Sequence, residues 1–446
     1  MAHITATGAF AAGVVIVLSA TNYFFFAWPA ALLLVARLVC RARPAVLVRV
    51  FDAWYDSVQQ AWMGLVTIVL EGVLRLRVAY TIVSPSKKED GRTETAAVTA
   101  PRQLADILAA PQRGKFKIIL LNHRCRADWL MVFPFLARAN AARQVRIVLK
   151  AELNRFPIFG WSMQLFRYMF LSRRWDKDEE MIQQMISHYH FSGGATIMLF
   201  PEGTDLSPSN VERSNAYAAK NGLPLFHHVL NPRSTGFLAI KNMIGAENIE
   251  EIIDMTLGYT DFVPGERPTE LCIVNGRMPK KVHMLCTRHR LAGSRQHQEE
   301  KDAFPADDEG LRAWLNDRFA KKEVLLSQFY SNNPVGFEAH QVRSVLGEDC
   351  DVVAYDEDED ATQHPGSTKL ARLVAGVGLW RGFVGVLAFW LAPVLYCAFY
   401  GGLRLILWCV LCSFTCAWIA RKKENLAVWL LQLRREKTGG KQAKQD

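Results

Sequence analysis

Long apolar runs without any charged side chain lie near both ends of the chain, and they most constrain how it can fold. Residues 4–36 contain no charge, and this run is longer than the roughly 20 residues that cross a bilayer as one helix. Near the other end, residues 382–402 and 405–420 are also uncharged, with Arg404 between them. The sequence therefore predicts membrane segments on both sides of a more polar centre.

Basic residues beside these runs predict the orientation of the membrane segments. Arg37 and Arg41 follow the first run directly, and residues 421–423 are a basic cluster after the last. Because Lys and Arg are enriched on cytosolic flanks, both flanks are expected in the cytosol. The first run is interpreted as one tilted span or a shallow hairpin. It is expected to be a retained anchor, since no Lys or Arg precedes it as in a cleaved signal peptide.

Residues 45–80 mix apolar stretches with isolated charges and carry the amphipathic rings of Trp54, Tyr55 and Trp62. Such rings are typical of a helix lying at a membrane surface. A helix packed in a soluble core fits the same pattern equally well. Residues 1–80 are predicted to form an N-terminal membrane anchor with interfacial helices.

Between the apolar ends, short apolar runs alternate with helical patterns, as in an α/β domain. The predicted strands are residues 115–121, 145–151, 195–200, 249–260, 271–276 and 281–286. The predicted helices are residues 127–139, 181–190 and 309–330. This rhythm predicts a mixed sheet flanked by helices over residues 81–340.

The remainder of the chain divides by composition. Residues 348–363 are strongly acidic, which favours a disordered, solvated spacer within a linker at residues 341–370. Residues 371–446 are predicted to form a C-terminal hydrophobic helix pair, a membrane hairpin, followed by a basic tail.

Charge and cysteine content narrow the function. A net charge of +10 favours anionic partners such as a membrane surface or a phosphate-bearing substrate. The sequence contains no zinc-finger spacing or RNA-binding motif, so no nucleic-acid partner is expected. The nine cysteines are scattered, without disulfide-framework or metal-ligand spacing. They are interpreted as reduced thiols of a cytosol-facing enzyme, and no metal site is expected.

His123 and Asp128 are the first candidates for catalysis. On one continuous helix, side chains five positions apart point about 140° away from each other. The two side chains meet if His123 lies in the loop after strand 115–121 and Asp128 begins the next helix. The carboxylate would then orient the imidazole for proton uptake from an alcohol. Alternatively, His123 is a structural histidine and Asp128 only favours a helix N-terminus.

Two further segments carry candidate binding residues. In residues 199–205, Pro201 and Gly203 predict a turn after a strand, where backbone N–H groups approach an anion closely. An ordinary surface turn also fits this pattern. Arg173 and Arg174 form a pair suited to clamp a phosphate, or else belong to a solvated charged surface.

Together, and in their order along the chain (the His–Asp pair, the arginine pair and then the turn), these motifs resemble the glycerophospholipid (lysophospholipid) acyltransferase family. The resemblance is close to its lysocardiolipin, lysophosphatidylinositol and 1-acylglycerol-3-phosphate acyltransferase subset, and spans roughly residues 40–330. The stretches that carry it are residues 122–129, 149–164, 172–175, 200–208, 213–224 and 229–237.

The resemblance implies roles for individual residues. His123 would be the general base and Asp128 its orienting partner. Arg173 matches an arginine assigned to the acceptor phosphate, and Pro232 a proline that shapes the substrate cleft. Other residues that match the family's substrate-binding motifs are Asn122, Pro201, Glu202, Gly203 and Thr204.

The implied activity is acyl-CoA-dependent esterification of a lysophospholipid hydroxyl without an acyl-enzyme. It would serve phospholipid synthesis or remodelling, with acyl-CoA as co-substrate and no cofactor. The expected partners are acyl-CoA, a lysophospholipid and membrane lipids. The expected location is the endoplasmic reticulum membrane, with the catalytic domain facing the cytosol.

Asp205 departs from many relatives, which carry arginine at this position. A carboxylate here disfavours a phosphate monoester and puts a simple lysophosphatidate preference in doubt. The alternatives are acyl transfer to glycerol-3-phosphate and a catalytically inactive membrane scaffold of the same fold. A serine hydrolase is disfavoured because the chain lacks a G-x-S-x-G motif. A lipid transporter is disfavoured because the spans are few.

Overall fold

One mixed β-sheet organises the part of the chain that the structure describes. The computed structural model describes residues 4–23, 44–85, 96–260, 270–291, 303–331 and 336–356, together with residues 395, 407, 410 and 411. Eight strands of these residues pair in the order β4-β3-β5-β2-β6-β7-β1-β8. The predicted fold class, a mixed sheet flanked by helices, is confirmed for this part of the chain.

The strands fall into a parallel group and an antiparallel edge. Strands β4, β3, β5, β2 and β6 are parallel to one another. Strand β7 runs antiparallel to β6, β1 is parallel to β7, and β8 runs antiparallel to β1. The strands are β1 (Arg77–Pro85), β2 (Phe116–Leu121), β3 (Val145–Lys150), β4 (Met169–Leu171), β5 (Ala195–Leu199), β6 (Ile249–Tyr259), β7 (Lys281–His289) and β8 (Cys350–Asp356). All residues of β2 and β5 are buried, as expected of central parallel strands covered on both faces.

Helices connect and cover these strands. They are α1 (Ala6–Asn22), α2 (Pro44–Ile68), α3 (Ala96–Leu108), α4 (Asp128–Met131), α5 (Phe133–Arg138), α6 (Phe159–Leu165), α7 (Trp175–Ser192), α8 (Pro208–Asn221), α9 (Ser234–Ile244), α10 (Glu270–Asn275), α11 (Asp308–Ser331) and α12 (Ala339–Leu346). A π-helical turn, Val69–Val73, continues α2 towards β1. The predicted helix at residues 127–139 is thus divided in two at Val132.

Helix α2 combines the two interpretations offered for residues 45–80. Its C-terminal half packs into the main core, where Trp62 and Met63 are buried. Its N-terminal half exposes Val46, Val50 and Trp54, which lie four residues apart on one face. The helix is therefore part core element and part exposed apolar surface.

None of the described helices is both long enough and apolar enough to cross a bilayer. Helix α1 covers part of the uncharged run at residues 4–36, while residues 24–36 lie outside the described residues. The predicted C-terminal hairpin and tail at residues 371–446 also lie outside them, apart from four isolated positions.

The structure corrects two predicted segments. Residues 271–276 were expected to be a strand, but residues 271–275 belong to α10, and Gly276, with φ = +71°, forms the turn after it. In the sheet, β7 has β6 and β1 on its two sides. Part of the expected disordered spacer is strand β8, in which Val353 pairs with Ile82 of β1. Strand β8 lies at the edge of the sheet beside β1. Its apolar residues favour this pairing despite the acidic residues around them. The domain boundaries themselves stay a prediction.

A buried ionic cluster attaches α11 to strand β6. The Asp254 carboxylate contacts Lys322 Nζ at 2.6 Å through Oδ1 and Arg318 Nε at 3.0 Å through Oδ2. All three side chains are almost fully buried, so removing one charge would leave the others unpaired in the core. This cluster holds β6 and α11 together beneath the site described next.

Candidate active site

The carboxyl ends of three adjacent parallel strands, β5, β2 and β6, meet at one edge of the sheet. Loops that leave this edge are the usual place for a site in an α/β sheet. His123 lies just after β2, Glu202 just after β5, and Tyr259 is the last residue of β6. Residues far apart in the chain are therefore brought together by strand pairing.

His123 and Asp128 form a hydrogen-bonded pair, in the geometry that the sequence predicted. His123 Nδ1 lies 2.9 Å from Asp128 Oδ2, and Asp128 is the first residue of α4. The Asp128 side chain is fully buried, whereas the His123 side chain is 21% exposed. Within the described residues, His123 Nε2 has no hydrogen-bond partner. With Nδ1 donating to Asp128, Nε2 is the basic nitrogen available to a substrate.

Negative charge around His123 favours its protonated form. Burial opposes the imidazolium, but the hydrogen bond and charge of Asp128 outweigh it. The more distant carboxylates of Glu202 and Asp205 add to the same effect. Together they raise the pKa of His123 above its ordinary value of 6.5. The ring is thus a stronger base than free histidine, and it stabilises the charge that forms on proton uptake.

Asp128 accepts three hydrogen bonds besides that of His123. The Cys125 backbone N–H donates to Oδ2 at 2.9 Å, and the Cys125 thiol donates to Oδ1 at 3.0 Å. The Tyr259 hydroxyl also donates to Oδ1, at 2.5 Å. Both carboxylate oxygens are therefore satisfied, and the carboxylate is fixed in place in a buried environment.

Glu202 is a buried carboxylate that joins two loops. Its Oε1 accepts the His123 backbone N–H at 2.6 Å, and its Oε2 accepts the Leu230 backbone N–H at 2.8 Å. Burial raises its pKa to about 7, against the two hydrogen bonds that lower it. Its observed role is to hold the backbone of the base, and the substrate contact expected from the resemblance stays a prediction.

Asn122 connects the end of β2 to β6. Its Nδ2 donates to the Leu257 carbonyl at 3.1 Å, and its Oδ1 accepts the Leu257 N–H at 2.7 Å. The side chain is buried and both ends of its amide are engaged. Asn122 thus sets the position from which His123 leaves the strand, and its expected substrate-binding role is untested.

The turn after β5 has the tight geometry that its sequence predicts. Gly203 has φ = +72°, a conformation that favours glycine, and the Arg233 N–H donates to the Pro201 carbonyl at 2.8 Å. Thr204 Oγ1 accepts a hydrogen bond from Asn210 Nδ2 at 3.0 Å, at the start of α8. The turn therefore rests against the segment that follows Pro232.

Two arginines converge on this turn. The Arg173 guanidinium donates to the Gly203 carbonyl, and a Cβ on Gly203 would lie 3.5 Å from Arg233 Cδ. Burial and then the nearby charge of Arg233 lower the pKa of Arg173, while Glu152 opposes this. Neither arginine forms a salt bridge with a described residue. Two guanidinium groups without a paired carboxylate make this turn suited to bind an anion.

Sequence reasoning missed residues that support this site from outside the motifs. Glu323 of α11 accepts the backbone N–H groups of His227, His228 and Val229 at 2.8–3.1 Å, and so holds the loop that leads to Pro232. Tyr259 was seen only as part of a strand. No local pattern distinguishes such residues, because their contacts depend on how distant elements pack.

Within the described ranges, no group of His, Cys, Asp or Glu is arranged to hold a metal ion.

Comparisons with known proteins identify an acyltransferase domain in the chain. Residues 107–240, which include the His–Asp pair and the turn after β5, match the family model described as acyltransferase. The chain is 35% identical over 239 residues to a zebrafish (Danio rerio) protein named lysocardiolipin acyltransferase 1, covering 53% of this chain and 58% of the relative. Over about half of its length, the chain is similar to lysophospholipid acyltransferases.

Two further acyltransferases match over a similar stretch. An Arabidopsis thaliana protein named probable 1-acyl-sn-glycerol-3-phosphate acyltransferase 5 is 32% identical over 216 residues, which cover 48% of this chain and 54% of the relative. A Caenorhabditis elegans protein named lysophosphatidylinositol acyltransferase 10 is 32% identical over 223 residues, covering 49% and 54%. The chain thus spans only about half the length of these relatives. No solved structure matches the chain.

Proposed function

We propose that the chain transfers a fatty acyl group from acyl-CoA to a hydroxyl of a lysophospholipid. The observation that carries the proposal is the His123–Asp128 pair at 2.9 Å, with Nε2 of the ring available at the C-terminal edge of the sheet. The test is CoA release from oleoyl-CoA by the purified full chain, with and without a panel of lysophospholipids. Release that depends on an acceptor supports the proposal, and no release with any acceptor contradicts it.

The proposed reaction is a direct displacement. His123 Nε2 takes the proton of the acceptor hydroxyl as its oxygen attacks the thioester carbonyl carbon. The carbon–sulfur bond breaks, and the CoA thiolate leaves with the proton returned by the imidazolium. Because a thiolate is a good leaving group, positioning and base catalysis carry the step, with no acyl-enzyme and no cofactor.

Arg173 and Arg233 are proposed to hold the acceptor's phosphate. Both arginines lie beside the turn at Gly203. Gly203 directly follows Glu202, whose carboxylate accepts the backbone N–H of His123. Asp205 lies close enough to His123 for its charge to favour the imidazolium. A carboxylate at this place repels a dianionic phosphate monoester more than a singly charged phosphodiester. We therefore propose a lysophosphodiester, of the lysophosphatidylinositol or lysocardiolipin kind, as the preferred acceptor.

Replacing Arg233 with Gln tests the phosphate site. A charge-assisted hydrogen bond contributes about 1.5–3 kcal/mol, so KM for a lysophosphodiester should rise about tenfold or more. The KM for acyl-CoA and the rate with an uncharged monoacylglycerol should change less than twofold. Arg312→Gln, which removes an exposed charge on α11, is the matched control. An unchanged KM for the lysophosphodiester would remove Arg233 from the site.

The exposed face of α2 is proposed to contact the membrane that holds both substrates. Val46, Val50 and Trp54 form a continuous apolar stripe, and exposed Arg49 beside it suits anionic headgroups. We propose the endoplasmic reticulum membrane, with the catalytic domain on the cytosolic side where acyl-CoA is available. Protease protection in sealed microsomes tests this orientation, since a catalytic domain shielded from added protease would contradict it.

A photoreactive residue at position 50 tests the membrane contact of α2. With p-benzoylphenylalanine in place of Val50, irradiation in anionic vesicles should yield a protein–lipid adduct. The same substitution at Val324 is the control, because Val324 lies on a different helix, α11, and is exposed to a similar extent (46%, against 59% for Val50). Lipid adducts at equal yield from both positions, or from neither, would contradict a membrane-facing α2.

A further inference from the structure

Tyr259 reaches the His–Asp pair from outside the stretch that matches the acyltransferase model, which ends at residue 240. It is the last residue of β6, its side chain is fully buried, and its hydroxyl lies 2.5 Å from Asp128 Oδ1. The opposite oxygen of the same carboxylate contacts the His123 ring. Tyr259, Asp128 and His123 therefore form one continuous hydrogen-bonded chain.

The Tyr259 hydroxyl stays a donor throughout the working pH range. Burial, and then the negative charge of Asp128, raise its pKa well above the ordinary value of 10.0. A neutral phenol beside an ionised carboxylate has its proton directed at the carboxylate. The bond is thus charge-assisted and buried, which places it among the stronger hydrogen bonds in proteins.

A second tyrosine fixes where Tyr259 lies. The Tyr259 backbone N–H donates to Tyr330 Oη of α11 at 3.0 Å. The Tyr330 ring stacks on His228 with centroids 5.6 Å apart, and the Arg124 guanidinium lies 4.1 Å from its centroid. These contacts, with the Asp254 cluster on the same strand, hold the end of β6 in one position.

We propose that Tyr259 is a positioning residue for the His–Asp pair, setting the rotation of the Asp128 carboxylate and limiting the charge that it presents to His123. Without this donor, Oδ1 keeps only the weak Cys125 thiol donor, and more negative charge remains on Oδ2 beside the imidazole. The other charges near His123 are those of Glu202 and Asp205 on the loop after β5, and they are untouched.

Tyr259→Phe, assayed in the full chain, tests the proposal. The test rests on the proposed acyl transfer only because it measures that activity. An inactive wild type would count against the proposed function, whereas an active wild type with an unaltered Tyr259→Phe variant would count against the role of Tyr259. We expect kcat to fall about tenfold, as for loss of one charge-assisted hydrogen bond, with both KM values within twofold. The acid limb of the kcat/KM profile should move to higher pH, because a more charged Asp128 stabilises the imidazolium.

Tyr189→Phe is the matched control. Tyr189 is also buried, and its hydroxyl donates to the Arg167 carbonyl at 2.5 Å, so this variant loses a buried hydrogen bond away from His123. It should keep both kcat and the acid limb. An unmoved or downshifted acid limb in Tyr259→Phe, or an equal loss of kcat in Tyr189→Phe, would overturn the proposal.

Incorporation of 3,5-difluorotyrosine at position 259 tests the same contact if the phenylalanine variant does not fold. The fluorinated phenol keeps the shape of the ring and is a stronger donor. It should move the acid limb to lower pH, opposite to the shift expected for phenylalanine. An acid limb that stays at the wild-type pH would show that Tyr259 does not act on His123.

Discussion

His123→Ala is expected to lower kcat/KM for acyl transfer by about 10²–10⁴-fold, the usual contribution of a positioned general base. The loss should appear mainly in kcat, because the ring acts on the proton that moves in the transition state rather than on ground-state binding. The side chain is partly exposed and bonds only Asp128, so the thermal midpoint should change little. CoA release at saturating acceptor measures the rate.

His340→Ala is the control, since His340 lies exposed on α12 away from the sheet edge. Asp128→Asn in the His123→Ala background should cost little further activity, because the two residues act as one unit. A His123→Ala enzyme that keeps more than about a tenth of wild-type kcat would contradict a base role, which is worth at least 10²-fold.

Glu202→Ala is expected to lower both activity and stability. It removes the acceptors of two backbone N–H groups, those of His123 and Leu230, in a buried place. Each unsatisfied N–H costs about 1–3 kcal/mol, so the free energy of unfolding should fall by about 2–6 kcal/mol. One of these groups is the backbone N–H of His123, so its loss should misplace the catalytic base. We therefore expect kcat to fall about tenfold or more, which corresponds to the free energy of about one such hydrogen bond. Denaturant unfolding and CoA release measure the two effects.

Glu323→Ala is the matched comparison. Glu323 also accepts backbone N–H groups, but those of the loop at residues 227–229 and not that of His123. It should destabilise the fold in the same way and raise KM for the acceptor, while kcat falls less than in Glu202→Ala. If the two variants lose kcat equally at equal stability, Glu202 has no special role in placing His123.

The elements that the sequence predicted correctly are those with strong local patterns. Strands β2, β3 and β5 are short, mainly apolar runs, and the pairing of His123 with Asp128 follows from placing one residue after a strand and the other at a helix start. Parallel strands covered on both faces need such runs, so periodicity alone identifies them.

The errors arose where tertiary packing decides the structure. Residues 271–276 have the length and composition of a short strand, but both neighbouring positions beside β7 are already taken. Strand β8 lies in an acidic segment, and only its pairing with β1 shows why Val353 and Tyr355 are there. Neither fact can be read from a local window of sequence.

The site residues show the same division. The motifs indicated which residues converge on the sheet edge, yet Glu202 and Asn122 turn out to bind backbone groups of neighbouring loops and strands. Tyr259 and Glu323 lie more than 100 residues after Asp128, on β6 and α11. Their importance follows from hydrogen bonds that exist only once these elements pack together.

The most direct test of the account is to identify the product. Purified full chain, labelled oleoyl-CoA and a lysophosphodiester should give one diacyl phospholipid, in amount equal to the CoA released and only when acceptor is present. Mass spectrometry of the lipid extract quantifies both. CoA release without acceptor, with free oleate as the product, would show a hydrolase. The absence of any CoA release from a folded chain that binds acyl-CoA would contradict acyl transfer altogether.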